Sequence, residues 1–449
     1  MCLGTQGGGW GGSLGRGGAP LALLLPWTAR PAGLAGRRSH GGEGAGGSGS
    51  RAGAGHGGAG LVGHRHPVRG LAHLLAGLVL TLGPGQPHRT PNTNHAGFFA
   101  AQAKGFYAAR GLAVELLSAA SPVLSAAYSE GGGEATAAAA EYNTPCGLVA
   151  GGRAHFALNS PEGVVNWNTR PEGDPRPPLR AVAAVLQRNT SAIACRPECR
   201  RPRDLDGKRY ASYAARFEGR IVQRMIQNDG GRGDFEEVVG PMLGLWNTVL
   251  CPREDEHATD ATWIFTCWEG VEAELRGAEL SLFALEDYAI PYGYAPCLVA
   301  HPELLDARPE TVRKFLAASA EGWEWAAANP AAAAAVLVEG AATECGDASL
   351  DITMVERSMA KLATAILDDR GRWGTMERGR WDSYLDWLAE EGLLTTFVNS
   401  RMPSATSATL DELRAGRAGD PIPRAAVSAA QLFTTAFLPP AEAGGGVEG

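Results

Sequence analysis

The feature that most constrains the fold is a regular alternation of short apolar runs with amphipathic stretches after residue 76. The apolar runs are rich in Val, Leu and Ala and end at Asn, Ser, Gly or Pro, which is typical of buried strands. They occupy residues 78–82, 113–117, 155–158, 181–186, 192–195, 209–212, 261–267 and 297–300. Because helical patterns separate them, we predict an α/β fold on a parallel sheet with helices on both faces.

Helical spacing of apolar residues predicts the elements between these strands. A helix over residues 98–110 ends at Gly111, and a second over 220–228 ends at Asp229, while long helices occupy 309–329, 351–367 and 381–391. The order predicts two α/β lobes joined by a hinge, with a cleft between them at the carboxyl ends of the strands. We place lobe 1 at residues 76–184 plus 285–400 and lobe 2 at residues 185–284.

The two ends of the chain differ from this pattern. The first 70 residues contain seven arginines, one acid (Glu43) and Gly at about every third position. Such a segment buries too little apolar surface to fold, so we predict residues 1–75 to be disordered or a targeting segment. Its Arg-rich, acid-poor character is compatible with an organelle transit peptide, so we expect a soluble protein in the cytoplasm or an organelle. The Ser, Ala, Arg and Gly content of residues 401–449 predicts a mostly extended tail.

Charge and composition exclude several classes of function. The net charge is −8, and the chain after residue 70 carries about −14, which disfavours nucleic acid as a partner. We expect no membrane span, because no stretch of about twenty apolar residues occurs. Among eight cysteines only Cys195 and Cys199 lie close in sequence, with no second pair and no nearby His. We therefore predict no metal site.

Polar residues follow the first predicted strand. Asn94 or Thr93 is suited to cap the next helix, and a helix start at the carboxyl end of a strand presents free N–H groups to a ligand. Asn92, Asn94 and His95 are therefore candidates to face a polar ligand. Ordinary capping with a loop histidine explains the same residues without a ligand, and the pattern alone favours it.

Several longer strings carry a family resemblance. They are TPNTNHAGFF at 90–99, YNTP at 142–145, AHFALNSPE at 154–162, QRNTSAI at 187–193, DGKRYASY at 206–213, WIFTCWEGVEAELRG at 263–277 and RWGTM at 372–376. With them the sequence resembles the thiamine-pyrimidine branch of the periplasmic-type solute-binding superfamily, which holds formylaminopyrimidine-binding proteins of bacterial transporters and fungal hydroxymethylpyrimidine phosphate synthases. The resemblance implies a periplasmic binding protein type II-like fold that closes on an aminopyrimidine-type thiamine precursor.

The same branch contains an enzyme, and this chain departs from it. The resemblance implies that a synthase would use a lysine Schiff base with pyridoxal phosphate, a histidine consumed as substrate, and iron beside a C-C-C-F-C cluster. Here Asn159 stands at the lysine position, residues 160–164 contain no histidine, and only Cys297 remains of the cluster. An amide cannot form an imine. The sequence therefore favours binding without a cofactor, and pyridoxal phosphate and iron belong only to the synthase alternative.

A flat aminopyrimidine needs two apolar faces and polar groups along one edge. We predict ring contacts from Trp268, Tyr213, Tyr292, Tyr294 and Trp167, edge acceptors Glu162, Glu218 and Glu269, and neutral partners Asn92, Asn94 and Ser160. Each has an ordinary explanation as well: Trp268 as core, Glu218 against a helix dipole, and Glu269 beside Arg276 on one helix. The expected partner is the small molecule, with a membrane transporter or a second copy of the chain left open.

Overall fold

The computed structural model describes residues 76–81, 91–117, 145–170, 173–212, 217–239, 244–396 and 420–440. The chain divides into two units, Met1–Leu61 and Val62–Gly449. The first unit, and with it the predicted segment 1–75, lies outside the described residues. The fold below is that of the second unit.

The first sheet contains the strands that the alternation predicts early in the chain, together with one late strand. These are β1 (Ala76–Thr81), β2 (Leu112–Leu117), β3 (Phe156–Asn159), β4 (Arg180–Ala184) and β10 (Cys297–Ala300), in the order β2-β1-β3-β10-β4. β1, β2 and β3 are parallel, whereas β10 is antiparallel to β3 and β4. The predicted all-parallel sheet is therefore wrong, because β10 returns from the second sheet and runs against its neighbours.

The second sheet is built from the middle of the chain. Its strands are β5 (Ser191–Cys195), β6 (Arg209–Ser212), β7 (Glu236–Val239), β8 (Ala261–Phe265) and β9 (Ser281–Ala284), in the order β7-β6-β8-β5-β9. β6, β7 and β8 are parallel, and β5 is antiparallel to β8 and β9. We call the first sheet with its helices lobe 1 and the second sheet with its helices lobe 2. The predicted lobe boundaries stay a prediction.

Helices follow or cover the strands of both sheets. Their bounds are α1 Ala96–Ala103, α2 Phe106–Ala109, α3 Pro145–Ala150, α4 Pro161–Asn168, α5 Glu218–Asn228, α6 Glu269–Leu275, α7 Pro302–Ala307, α8 Pro309–Ala328, α9 Pro330–Glu344, α10 Ile352–Ile366, α11 Arg378–Glu390 and α12 Ala429–Leu432. The helix predicted over 98–110 is divided at Gly105, whose φ of +73° places it in the left-handed region that glycine favours.

A helical layer on lobe 1 is held by close contacts at small residues. A Cβ on Gly97 of α1 would lie 2.1 Å from the Trp323 ring of α8, and a Cβ on Gly340 of α9 would lie 2.3 Å from the Phe99 ring. Any larger residue would force these helices apart, because protein interiors are already close-packed. α10 packs on the same layer and also contacts α6 of lobe 2.

Part of the predicted C-terminal tail is described and packs on lobe 1. Phe433, which follows α12, forms a parallel β-bridge with Ala181 of β4. Its ring stacks on Trp381 with centroids 5.7 Å apart. Residues 420–440 therefore belong to the packed fold, although much of this part has no regular secondary structure.

Candidate functional site

The two lobes each present a pair of helix starts at the carboxyl edge of their sheet. In lobe 1, parallel β1 and β3 lead toward the 3-10 turn Thr93–His95 and toward α4. In lobe 2, parallel β6 and β8 lead toward α5 and α6. Carboxyl ends of parallel strands meet at one edge, where helix N–H groups remain unpaired by the helix itself. We call these the lobe 1 edge and the lobe 2 edge.

A hydrogen bond between α4 and the start of α5 shows that the two edges face each other. The backbone N–H of Phe217, the residue before α5, donates to Glu162 Oε1 at 3.0 Å. The Glu162 side chain is buried, at 8% exposure, and Phe217 is fully buried. Glu162 lies in the first turn of α4, so its carboxylate faces two helix N-termini, a favourable position for negative charge. We call this contact the charged link.

Tyr292, on the segment that returns from lobe 2 to β10, lies at the centre of this contact. Its phenol hydrogen-bonds to Ser160, and burial raises its pKa well above the ordinary 10.0, helped by the nearby charges of Glu162 and Glu218. Its ring makes edge contacts with Trp263 and Tyr384, each with centroids 5.7 Å apart. The structure thus brings together four predicted residues, namely Ser160, Glu162, Glu218 and Tyr292.

Glu218 is the first residue of α5 and is only 1% exposed. Tyr210 of β6 donates its hydroxyl to Glu218 Oε1 at 2.7 Å. A buried carboxylate needs such a donor, because burial without one is costly. The carboxylate therefore has a fixed orientation set from within its own lobe.

At the lobe 1 edge, the predicted polar residues bond to one another. The N-cap of the 3-10 turn is Asn92, rather than the predicted Asn94 or Thr93, and its Oδ1 accepts the N–H of Asn94 at 3.0 Å. The backbone N–H of Asn92 donates to His95 Nδ1 at 2.9 Å. Burial lowers the pKa of His95 to about 4, so the ring is neutral near pH 7 and its proton resides on Nε2. His95 is therefore a donor at this edge.

At the lobe 2 edge, the turn between β8 and α6 carries Trp268 and Glu269. Trp268 is partly buried, and Glu269 Oε2 accepts the backbone N–H of Phe265 at 3.0 Å. Burial raises the pKa of Glu269 to about 7, against the opposing effect of the Phe265 N–H. A carboxyl with this pKa changes charge near neutral pH.

A second link between the lobes passes through α10. Ser358 Oγ donates to the backbone carbonyl of Cys267 in the β8–α6 turn, and it lies 2.8 Å from Thr93 Oγ1 in the lobe 1 edge. All three residues are buried. Sequence reasoning missed Ser358, Cys267 and Phe217 because no local pattern pairs residues so far apart in the chain.

Three other predicted aromatic residues, Tyr294, Trp167 and Tyr213, are not shown beside Tyr292. Tyr294 is turned into lobe 1: its hydroxyl accepts the N–H of Glu377 at 2.8 Å, and the Arg380 guanidinium lies 3.9 Å from its ring centroid. Trp167 donates to Pro177 O at 3.0 Å and packs under Arg170. The structure does not bring either ring to Tyr292, because each is committed to packing within lobe 1. Tyr213 lies outside the described residues.

The residues present do not fit the synthase chemistry. Asn159, at the lysine position, donates through Nδ2 to Cys146 Sγ at 3.1 Å. The four lysines of the chain, Lys104, Lys208, Lys314 and Lys361, are exposed. Lys208 precedes β6 and so lies at the opposite end of that strand from the lobe 2 edge. A pyridoxal phosphate imine has no lysine partner at these edges. Across the described ranges, no group of three or more His, Cys, Asp or Glu side chains could hold a metal ion.

Comparisons with known proteins identify relatives of this chain. The sequence profile of the family described as NMT1/THI5 like matches residues 92–144 and 135–333, more than half of the chain. A formylaminopyrimidine-binding protein of Halalkalibacterium halodurans is 23% identical over 306 residues, which cover 66% of this chain and 82% of that protein. This agrees with the resemblance seen in the sequence.

Solved structures match as well. A protein of Bordetella bronchiseptica RB50 aligns with a TM-score of 0.50 at 17% identity, covering 81% of this chain and 95% of that one. A periplasmic aliphatic sulphonate binding protein of Escherichia coli aligns with a TM-score of 0.47 at 12% identity, covering 71% and 94%. The predicted class, an α/β periplasmic binding protein fold, is confirmed.

The predicted location is wrong. We expected a cytoplasmic or organellar protein from the Arg-rich first segment, but the matched binding proteins are described as periplasmic or as components of import systems. Within the described part of the chain, no helix is both long and apolar enough to cross a bilayer.

Proposed function

We propose, from the premise that this chain belongs to the NMT1/THI5-like family, that it binds a small aminopyrimidine between its two lobes. The observation that carries the proposal is the charged link, which places the Glu162 carboxylate, the Glu218 carboxylate and the Tyr292 phenol at one point between facing edges. The name of the formylaminopyrimidine-binding relative supports the choice of ring.

The chemistry of the edges matches what such a ring offers. An exocyclic amine or a protonated ring nitrogen donates to carboxylates, and Glu162 and Glu218 supply two. Ring nitrogens and a hydroxyl or formyl oxygen accept, and the neutral His95 supplies a donor through Nε2, with the amide of Asn94 beside it. Tyr292 and Trp268 supply flat apolar faces. The candidate site therefore has acceptors, donors and rings in the combination an aminopyrimidine needs.

The magnitudes suffice for useful affinity. Stacking a heterocycle on an aromatic side chain contributes about 1–3 kcal/mol, and a hydrogen bond to a charged group contributes about 1.5–3 kcal/mol. Two of each, reduced by association costs, give a dissociation constant of about 1 μM or lower. A sulfonate anion would instead meet two carboxylates, so we expect sulfonates to bind poorly.

We further propose that the ligand is a precursor of the thiamine pyrimidine and that the protein delivers it to a membrane transporter for biosynthesis or salvage. The family and the fold support this role, because relatives with this fold are components of import systems. On this proposal the protein acts outside the cytoplasm, in the periplasm or at the cell surface.

Calorimetric titration tests the site. We expect the hydroxymethyl aminopyrimidine of thiamine and its formylaminomethyl analogue to bind one to one, and ethanesulfonate to give no heat. Glu218→Gln and Trp268→Ala should each weaken binding at least about tenfold, through loss of a charged acceptor and of a ring face. Glu310→Gln, whose side chain is exposed in the first turn of α8, serves as the matched control and should leave affinity unchanged. Unchanged affinity in both site variants would refute the assignment.

A further inference from the structure

Thr93, Ser358 and Cys267 form a second link between the two edges, which we call the hydroxyl link. Thr93 belongs to the 3-10 turn of the lobe 1 edge, Cys267 to the β8–α6 turn of the lobe 2 edge, and Ser358 to the middle of α10. Thr93 is 2% exposed and Ser358 is fully buried. The link is therefore shielded from water, where a hydrogen bond is strong and a lost partner is costly.

The direction of the protons in this link follows from simple counting. A serine hydroxyl has one hydrogen and two acceptor lone pairs. The Ser358 hydrogen goes to the Cys267 carbonyl, which can only accept. The contact at 2.8 Å between Thr93 Oγ1 and Ser358 Oγ must then use the Thr93 hydrogen. Thr93 therefore donates to Ser358, and Ser358 donates to the Cys267 carbonyl. The Thr93 hydroxyl can then only accept further hydrogen bonds.

The position of Ser358 is unusual for a serine inside a helix. Such a residue commonly bonds to a carbonyl of its own preceding turn. Both bonds recorded for the Ser358 hydroxyl instead leave α10, one to each edge. α10 also reaches lobe 2 at its surface, where Lys361 Nζ lies 2.8 Å from Glu274 Oε1 of α6. One face of α10 therefore contacts both halves of the candidate site.

We propose that Ser358 is a positioning residue of the binding site, which holds the Thr93–His95 turn and the Trp268–Glu269 helix start in one fixed relation. It does so by hydrogen bonding to both edges, with no contact to the ligand. This inference rests on the proposed function for its effect on affinity, whereas the coupling of the two edges does not depend on any ligand. Removing the hydroxyl should loosen both edges together.

Amide hydrogen exchange of the free protein tests the coupling. In Ser358→Ala, peptides covering residues 92–96 and 266–272 should both exchange at least about fivefold faster than in the wild type, because each loses a buried anchor. The matched control is Ser319→Ala. Ser319 is also fully buried and also bonds to a hydroxyl, that of Tyr107 at 3.0 Å, but within the helical layer of lobe 1. That variant should leave both peptides unchanged.

A second set of variants separates the effect of the Thr93 hydroxyl from the effect of side-chain volume. Thr93→Val removes the donor at nearly constant volume and should raise the dissociation constant for the hydroxymethyl aminopyrimidine about tenfold, as should Ser358→Ala. Thr93→Ser keeps the donor and should retain affinity within about threefold. The double variant Thr93→Val with Ser358→Ala should be no weaker than the weaker single variant, because both break the same link.

The outcomes are distinct. Exchange in Ser358→Ala that matches the wild type at either peptide, or that is matched by Ser319→Ala, overturns the inference. Tight binding by the wild type together with unchanged affinity in Thr93→Val also overturns it. A wild-type protein that takes up no aminopyrimidine refutes the proposed function instead, and the exchange experiment still decides whether Ser358 couples the edges.

Discussion

Among the described residues, the charged link and the hydroxyl link both join the facing edges, and they differ in kind. The charged link places the Glu162 carboxylate on the N–H of Phe217, beside Tyr292 and Glu218. The hydroxyl link runs from Thr93 through Ser358 to the Cys267 carbonyl and carries no charge. We propose a division of roles on this basis: the charged link takes part in ligand binding, whereas the hydroxyl link fixes the relation between the two edges.

The largest expected effect comes from breaking the charged link. Glu162→Gln keeps the size of the side chain and one acceptor oxygen but removes the charge that two helix starts stabilise. We expect aminopyrimidine affinity to fall about tenfold to a hundredfold, and the free energy of unfolding to fall by about 1–2 kcal/mol. Calorimetry and urea unfolding measure the two losses. If Glu162→Gln bound as tightly as Glu310→Gln, the charged link would have no role in recognition.

A smaller effect concerns pH, and here the two edges act in opposite directions. Glu269 has a pKa of about 7 in the fold against an ordinary 4.5, so between these values the folded state binds more protons and stability falls as pH rises. His95 has a pKa of about 4 against 6.5, so its contribution is lost as pH falls from 6.5 toward 4. Because the two contributions oppose each other, they predict a broad stability maximum between about pH 4.5 and about pH 6.5.

Glu269→Gln isolates the first of these effects. The amide does not ionise, so the variant avoids the cost of charging a buried carboxylate. We expect the difference in melting temperature, Glu269→Gln minus wild type, to increase by a few degrees from about pH 5 to about pH 8. Melting curves at constant ionic strength provide the measurement, and parallel pH profiles of the two proteins would show that Glu269 does not titrate in this range.

The smallest effect is expected on the exposed side of α10. Lys361 and Glu274 form an exposed ion pair between the lobes, with side chains 38% and 56% exposed. Exposed pairs contribute about 0.2–1 kcal/mol, so Lys361→Gln should change affinity by less than about fivefold, and most of that effect should be lost at high salt. A larger loss would mean that α10 couples the lobes through charge rather than through Ser358.

The sequence predicted those helix starts of the candidate site that local patterns specify. Ser160, Glu162 and Glu218 each follow a recognisable strand and open a helix, and capping chemistry is visible over a few residues. The antiparallel β10 was not predicted, because strand direction depends on where the chain returns rather than on its own composition. The break at Gly105 was missed since helical spacing continues across it.

Tyr292 and Tyr294 show most clearly what a sequence cannot resolve. They lie two residues apart in the same segment and were equal candidates. The structure directs Tyr292 to Ser160 and Trp263 and directs Tyr294 to Glu377 and Arg380. Both rings contact α11, but only Tyr292 is also shown against lobe 2, through Trp263, and this difference depends on tertiary packing. The same holds for Ser358, which no motif distinguishes from other helical serines.

The most direct test of the account is a crystal structure of the protein with the hydroxymethyl aminopyrimidine of thiamine. We expect the ring between the two edges, in contact with Tyr292 and Trp268, with its amine within hydrogen-bond distance of Glu162 or Glu218. A ligand bound elsewhere on the chain, or a saturated crystal with no ring between the lobes, would contradict it.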